Sequence, residues 1–80
     1  MWSVRYHPSV LAEDFKSISA QYQERIIKVI QKKLSSHPES YGKPLRGEFN
    51  GYWRLRIEDY RVVYRIIKNE IVVLVIKIGV

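Results

Sequence analysis

The spacing of apolar residues changes once along this chain, near residues 35–47, and that change limits what the chain can build. Before it the spacing is helical; after it the spacing is that of strands. Helices followed by a run of strands fold as α+β, not as alternating βα units. The 80 residues are material for one domain, residues 1–80, with no repeat, low-complexity run or linker.

Residues 2–6 alternate. Trp2, Val4 and Tyr6 fall on one side and Ser3 and Arg5 on the other, which predicts a short first strand. Pro8 suits the first turn of a helix, where a missing N–H leaves nothing unpaired. Leu11, Phe15 and Ile18 follow at spacings of four and three and predict one apolar stripe. A break near Ser17–Ser19 is expected, because Ser is a favoured cap. A second helix is predicted over residues 20–34, with Tyr22, Ile26, Val29, Ile30 and Leu34 buried. Arg25, Lys28, Lys32 and Lys33 load its outer face, and Glu24 and Lys28 form an i,i+4 pair. Pro38 cannot continue the helix and restrains His37. Helices joined this tightly predict an antiparallel hairpin.

Residues 39–51 read as loop, with a short edge strand over residues 43–46. Trp53, Leu55 and Ile57 alternate with Tyr52, Arg54 and Arg56. After a turn at Glu58-Asp59, Tyr60, Val62, Tyr64 and Ile66 alternate with Arg61, Val63, Arg65 and Ile67. A second turn is predicted at residues 68–70, where Asn69 tolerates the left-handed conformation. Residues 71–78 are apolar at nearly every position, which predicts a central strand covered on both sides. The expected fold is α+β: an N-terminal strand and an antiparallel two-helix hairpin packed on a small antiparallel sheet, whose other face carries Arg side chains.

Composition narrows the function. A hydrophobic content of 46% is too high for a disordered tail. A domain this small buries only about 60% of its unfolded surface, so a partner adds to its stability. The absence of cysteine excludes disulfides and thiolate metal sites, and a reducing, cytoplasmic location fits it. The N-terminus is polar from Ser3 onward and shows no signal peptide. The longest apolar stretch, residues 71–76, is too short to span a bilayer, so no membrane role is expected. Fourteen basic and eight acidic residues give a net charge of +6, which favours a polyanion. The excess lies in the second half. Residues 42–80 hold eight basic and four acidic side chains, against six and four before them.

Arg54 and Arg56 are two apart and share a strand face. Whether Arg61 joins them depends on the register of the hairpin, which stays open at this point. Lys43, Arg46, Arg65 and Lys77 lie in the same half. Arg beside Tyr52, Tyr60 and Tyr64 suits RNA, since Arg pairs with phosphates and aromatic rings stack on unpaired bases. The same alternation fits the solvated face of a half-exposed strand. Trp53 shares a parity with Leu55 and Ile57 and is read as core. His7 and His37 stand alone, away from metal-ligand spacing, so neither a metal nor another cofactor is expected. Glu58-Asp59 is read as a solvated turn, and no phosphate loop or nucleophile elbow is present.

Leu45-Arg46-Gly47, Gly51-Tyr52-Trp53-Arg54-Leu55-Arg56 and Asp59-Tyr60-Arg61-Val62-Val63-Tyr64 resemble the central signature of the RelE/ParE toxins. The opening strand, the helical hairpin and the last strand follow the family's order, so the resemblance covers essentially the whole chain. It implies the toxin half of a toxin–antitoxin pair. It implies a metal-independent endoribonuclease that enters the ribosomal A site and cuts mRNA there by attack of the 2′-hydroxyl. On that resemblance Arg61 and Arg54 match functional basic positions, with Arg61 stabilising transition-state charge and Arg54 and Arg56 holding phosphate or ribosomal RNA. Lys43, Arg46 and Arg65 are further candidates for RNA contact. The partners implied are a cognate acidic antitoxin, the ribosome and mRNA, in a homodimer or a toxin–antitoxin heterotetramer. A ParE-like toxin that binds DNA gyrase is the alternative. At its end the sequence departs from the pattern. Many active members carry a terminal basic residue, an Arg and a Tyr that helps to move the proton, whereas Gly79-Val80 stand here. The departure implies a shortened form, or a member that only binds its partner or RNA.

Overall fold

The computed structural model describes residues 1–80. The chain runs through β1 (Ser3–Tyr6), α1 (Pro8–Ala12), a 3-10 turn at Asp14–Ser17, α2 (Ala20–Leu34), α3 (Pro38–Tyr41), β2 (Lys43–Pro44), a 3-10 turn at Gly47–Phe49, then β3 (Trp53–Ile57), β4 (Tyr60–Ile67) and β5 (Val72–Gly79). The strands form one sheet in the order β1-β5-β4-β3-β2. No helix is long and apolar enough to cross a membrane.

The expected α+β class holds, and β2 to β5 pair antiparallel as anticipated. β1 instead lies parallel to β5, with Val4 opposite Val73 and Tyr6 opposite Val75. Pairing the first strand with the last closes the chain into one unit and makes β5 an interior strand, flanked by β1 and β4. β5 runs past the end of β1, and Asp14 takes over there. Its carboxylate accepts the Ile78 N–H at 2.9 Å, a group that would otherwise face a bare edge.

α2 covers one face of the sheet. Ser19 caps its start by accepting the Tyr22 N–H. Gln23 fixes the corner before it, with Nε2 donating to the carbonyls of Phe15 and Ile18, both at 2.6 Å. Ile26, Ile30 and Leu34 are fully buried against Val62, Tyr64, Val73 and Val75. Two predicted stripe residues are corrected. Tyr22 is 43% exposed and rests beside Tyr60. In the first helix Val10 enters the core and Leu11 points out. That helix has only five residues before it tightens into a 3-10 turn, so a 3.6-residue period cannot be carried from Leu11 to Phe15.

Two further points differ from the local sequence signals. The β4–β5 turn places its left-handed residue at Ile71 (φ 56°) and not at the tolerant Asn69, an uncommon conformation for a β-branched side chain. The edge strand is shorter than residues 43–46: it spans Lys43–Pro44, the Leu45 N–H still donates to the Tyr52 carbonyl, and Arg46 leads into the Gly47–Phe49 turn. β5 holds an irregularity that the uniform apolar run concealed. Val63 is opposite Lys77, but Tyr64 is opposite Val75, leaving Ile76 as a bulge. The phase shift lets Val73, Val75 and Ile78 all face the core while Lys77 faces out.

Tyr64 anchors the α3–β2 segment to the sheet. It is fully buried, stacks on Trp53, and donates a 2.6 Å hydrogen bond to the Pro38 carbonyl. Gly42 permits this, since a Cβ there would lie 1.8 Å from the Tyr64 hydroxyl. Burial pushes the phenol up from 10.0 to about 12. Removing the hydroxyl in Tyr64→Phe orphans the Pro38 carbonyl and lowers stability by about 1–3 kcal/mol. A raised pKa holds its stabilisation below the unfolded value and loses it as pH climbs from 10.0 toward about 12, at about 1.4 kcal/mol per unit. Urea unfolding on either side of that window checks both points: Tyr64→Phe is the less stable protein at neutral pH and shows a shallower alkaline decline.

Candidate functional site

The face opposite α2 is open, and the strand register decides what stands on it. Glu58 and Asp59 form a two-residue connection that sets Ile57 opposite Tyr60. Arg56 is then directly opposite Arg61, so Arg61 shares the face of Arg54 and Arg56. β2 adds Lys43 directly opposite Arg54. The side chains cross the sheet in rows. One row holds Arg56, Arg61 and Gly79; the next holds Lys43, Arg54, Val63 and Lys77. A third holds Arg65, Leu74 and Arg5. Rows on one face are about 7 Å apart, and neighbours within a row bring their Cβ atoms to about 5 Å.

Seven cations therefore share one face: Arg5, Lys43, Arg54, Arg56, Arg61, Arg65 and Lys77. All are exposed. No residue in any of the five strands is acidic. Of the seven only Lys77 reaches a carboxylate, that of Asp14, at 3.8 Å. Arg56 Nε donates to the Glu58 carbonyl at 3.3 Å, and the Glu58 carboxylate is taken by Arg25 of α2 at 2.9 Å. Arg65 lies over the Tyr52 ring, 5.7 Å from its centre. Two like-charged pairs, Arg56–Arg61 and Lys43–Arg54, face each other across strands. Such opposition costs a few tenths to about 1 kcal/mol per pair. An anion seated among these side chains would reverse that cost, and guanidinium forks suit phosphate.

Beside the cations lies an apolar groove of about 510 Å³, lined by Leu45, Phe49, Tyr52, Val63 and Ile76, with Glu48 and Lys77 at its rim. Phe49 is 56% exposed there. The groove exists because the 3-10 turn at Gly47–Phe49 folds back beside the sheet, where the Leu45 N–H donates to the Tyr52 carbonyl.

The structure brings Arg54, Arg56, Arg61, Lys43 and Arg65 onto one face. Arg46 stands apart, in the loop before the Gly47–Phe49 turn. Arg5 joins the face without having been singled out, and Lys77, noted in sequence only for lying in the same half, joins it too. The alternation of Ser3 and Arg5 with the apolar residues of β1 carried the signal for Arg5, but only the parallel pairing with β5 places it. Among the tyrosines named from sequence, Tyr52 belongs to the open face. Tyr60 and Tyr64 point to the helical side, and the Tyr64 hydroxyl is engaged by Pro38. No group of three or more His, Cys, Asp or Glu side chains is placed to hold a metal.

Residues 4–79 match the family model described as the ParE toxin of the type II toxin–antitoxin system parDE. No curated protein sequence matches. Among solved structures, the chain is similar to one in the RelBE2 toxin–antitoxin complex of Mycobacterium tuberculosis, with 26% identity and a TM-score of 0.91 over 98% of this chain and 88% of that one. A chain of the intact RelBE complex of E. coli shares the fold at 21% identity, with a TM-score of 0.79 and coverage of 99% and 95%. The YoeB/ParE toxin of Agrobacterium tumefaciens does so at 24% identity, with a TM-score of 0.75 and coverage of 95% and 94%.

Relief of the like-charge opposition is measurable without any ligand. Arg61→Gln should keep or gain a few tenths of a kcal/mol of stability at about 0.01 M salt, and the gain should vanish near 1 M, where the screening length falls from about 30 to about 3 Å. Urea titrations of both proteins at the two salt concentrations check it. A loss of stability at low salt would show that Arg61 serves the fold.

Proposed function

Because the chain belongs to the ParE toxin family of type II toxin–antitoxin systems, we propose that its open sheet face acts on RNA, cutting mRNA in the ribosomal A site. The observation that supports this reading is the row structure of the face. Arg54, Arg56 and Arg61 stand together with no carboxylate among them, beside Lys43. Solvent-facing surfaces commonly intersperse both signs, and this face carries one sign only.

In this reading the ribose 2′-hydroxyl attacks the adjacent phosphorus, and the bond to the 5′-oxygen of the next nucleotide breaks. The 2′-hydroxyl gives up its proton and the departing 5′-oxygen gains one. The products are a 2′,3′-cyclic phosphate and a 5′-hydroxyl. Negative charge grows on the non-bridging oxygens as the phosphorus becomes five-coordinate. Arg61 stabilises that charge, because its guanidinium can present several N–H donors to the non-bridging oxygens as the charge develops. Arg54 and Arg56 hold the flanking phosphates and align the strand. Lys43 and Arg65 extend the grip along the RNA, and Arg46 reaches it from the loop. Tyr64 takes no part in the proton transfer: its hydroxyl is buried and committed to Pro38. A cognate acidic antitoxin would neutralise the same surface. Its carboxylates pair with the cations, and its apolar side chains fill the groove beside Phe49. A partly disordered segment can fold onto both at once.

A second reading rests on the matched family model itself, which is that of ParE. In it the chain binds and inhibits DNA gyrase and performs no chemistry. One pair of assays separates the two: primer extension on programmed ribosomes and gyrase supercoiling, each with wild type and Arg61→Ala. The proposal expects ribosome-dependent A-site cuts that weaken about a hundredfold or more in Arg61→Ala. Inhibited supercoiling without any cut would transfer the chain to the second reading.

A further inference from the structure

We propose that the basic face continues over the β2 edge of the sheet into a second anion site, which grips the phosphodiester backbone of an RNA strand leaving the face. The proposal rests on RNA being the ligand of the open face. The site is a cleft of about 310 Å³ between the end of α2, α3 and the paired strands β2 and β3, lined by Lys33, Tyr41, Lys43, Arg54, Leu55 and Arg56. Four of these six residues are cations and none is acidic.

Like most of the open face it adjoins, the cleft is left without partner carboxylates. Four of the chain's carboxylates engage neighbouring cations: Glu58 with Arg25, Glu24 with Lys28, Glu39 with Lys68 and Asp14 with Lys77. None pairs with Lys33, Lys43, Arg54 or Arg56. Four unneutralised charges around one small concavity repel one another, and they raise the local concentration of anions. Lys33 is held in place for the task. It is half-buried, and its ammonium sits 5.2 Å from the centre of the Tyr41 ring. Tyr41 is itself 49% exposed, which leaves ring surface on which a base can stack.

Two features select RNA over an acidic peptide. Leu55 is only 4% exposed, so the cleft offers no hole for an apolar side chain, unlike the groove beside Phe49. Arg54 and Arg56 also belong to both the cleft and the open face, so a single phosphate backbone can run from one to the other without a gap. A short RNA fills the face alone; a longer one reaches Lys33 and Tyr41.

The test measures binding of two single-stranded RNAs, roughly 4 and roughly 12 nucleotides long, to the full chain by fluorescence anisotropy across a range of salt. Lys33→Gln should weaken the longer RNA about threefold or more at low salt. It should reduce the slope of log K against log salt by about 0.7, and leave the shorter RNA unchanged. Tyr41→Ala should weaken the longer RNA about fivefold or more, and Tyr41→Phe should restore it. Thermal melts identify any variant that fails to fold, in which case Lys33→Gln decides alone. If Lys33→Gln and Tyr41→Ala leave the longer RNA untouched while Arg61→Ala weakens both, the face binds RNA and the cleft does not. If the wild type binds neither RNA, the reading of the face fails and takes the cleft with it. Lys33-dependent binding of polyglutamate without RNA binding would assign the cleft to a protein partner and overturn the proposal.

Discussion

Burial of one sheet face beneath α2 sets the rest of this structure. Ile26, Ile30 and Leu34 exclude water from Val62, Tyr64, Val73 and Val75, and each of these seven side chains is fully buried. Period two in the strands then forces every intervening side chain to the opposite side. β4 carries both duties within eight residues: Val62 and Tyr64 make the core while Arg61 and Arg65 make the face. A one-residue slip of the β3–β4 register would bury arginines and expose the core, so the packing that stabilises the domain also holds the cations in register. The hydroxyl of Tyr64, donating to Pro38 beside Gly42, extends the same arrangement to β2 and so places Lys43 opposite Arg54.

Much of this was legible in residue spacing. α2 begins and ends where Ser19 and Pro38 suggested, and the Arg/apolar alternation of β3 and β4 named both faces correctly. What stayed hidden depended on partners far away in the chain. Arg5 joins the face only because β1 lies parallel to β5, a pairing that no local pattern encodes. The run of residues 71–78 looked uniformly apolar because the bulge at Ile76 changes which residues face inward, and periodicity cannot see a change of phase among apolar residues. Leu11 and Tyr22 were misplaced because a five-residue helix and a helix's first turn do not carry a full period. The left-handed turn residue went to Ile71 against local preference, where tertiary pairing of its carbonyl with the Ser3 N–H overrode the choice of Asn69.

The candidate site was half legible. The shared face of Arg54 and Arg56 followed from spacing alone, whereas the opposition of Arg56 and Arg61 needed the hairpin register. That opposition makes the face electrostatically uncomfortable without a ligand, and the proposed function gives it two kinds of anionic partner. An RNA would meet it with phosphates, an antitoxin with carboxylates. Under that proposal both would compete for the same side chains, and neutralisation would then follow from simple occupancy. The fold by itself leaves the target open, since one scaffold hosts several activities; the cations and their geometry carry the argument for RNA.

The most direct test of the central claim is to locate where RNA touches the chain. Backbone amide shifts of the isotopically labelled protein, followed by NMR as single-stranded RNA is added at low salt, report this residue by residue. The account predicts that the largest changes fall on β2, β3 and β4 around Lys43, Arg54, Arg56 and Arg61, and fade as salt rises. Changes confined to α1 and the exposed side of α2 around Arg25 and Lys28, with β3 and β4 silent, would contradict it.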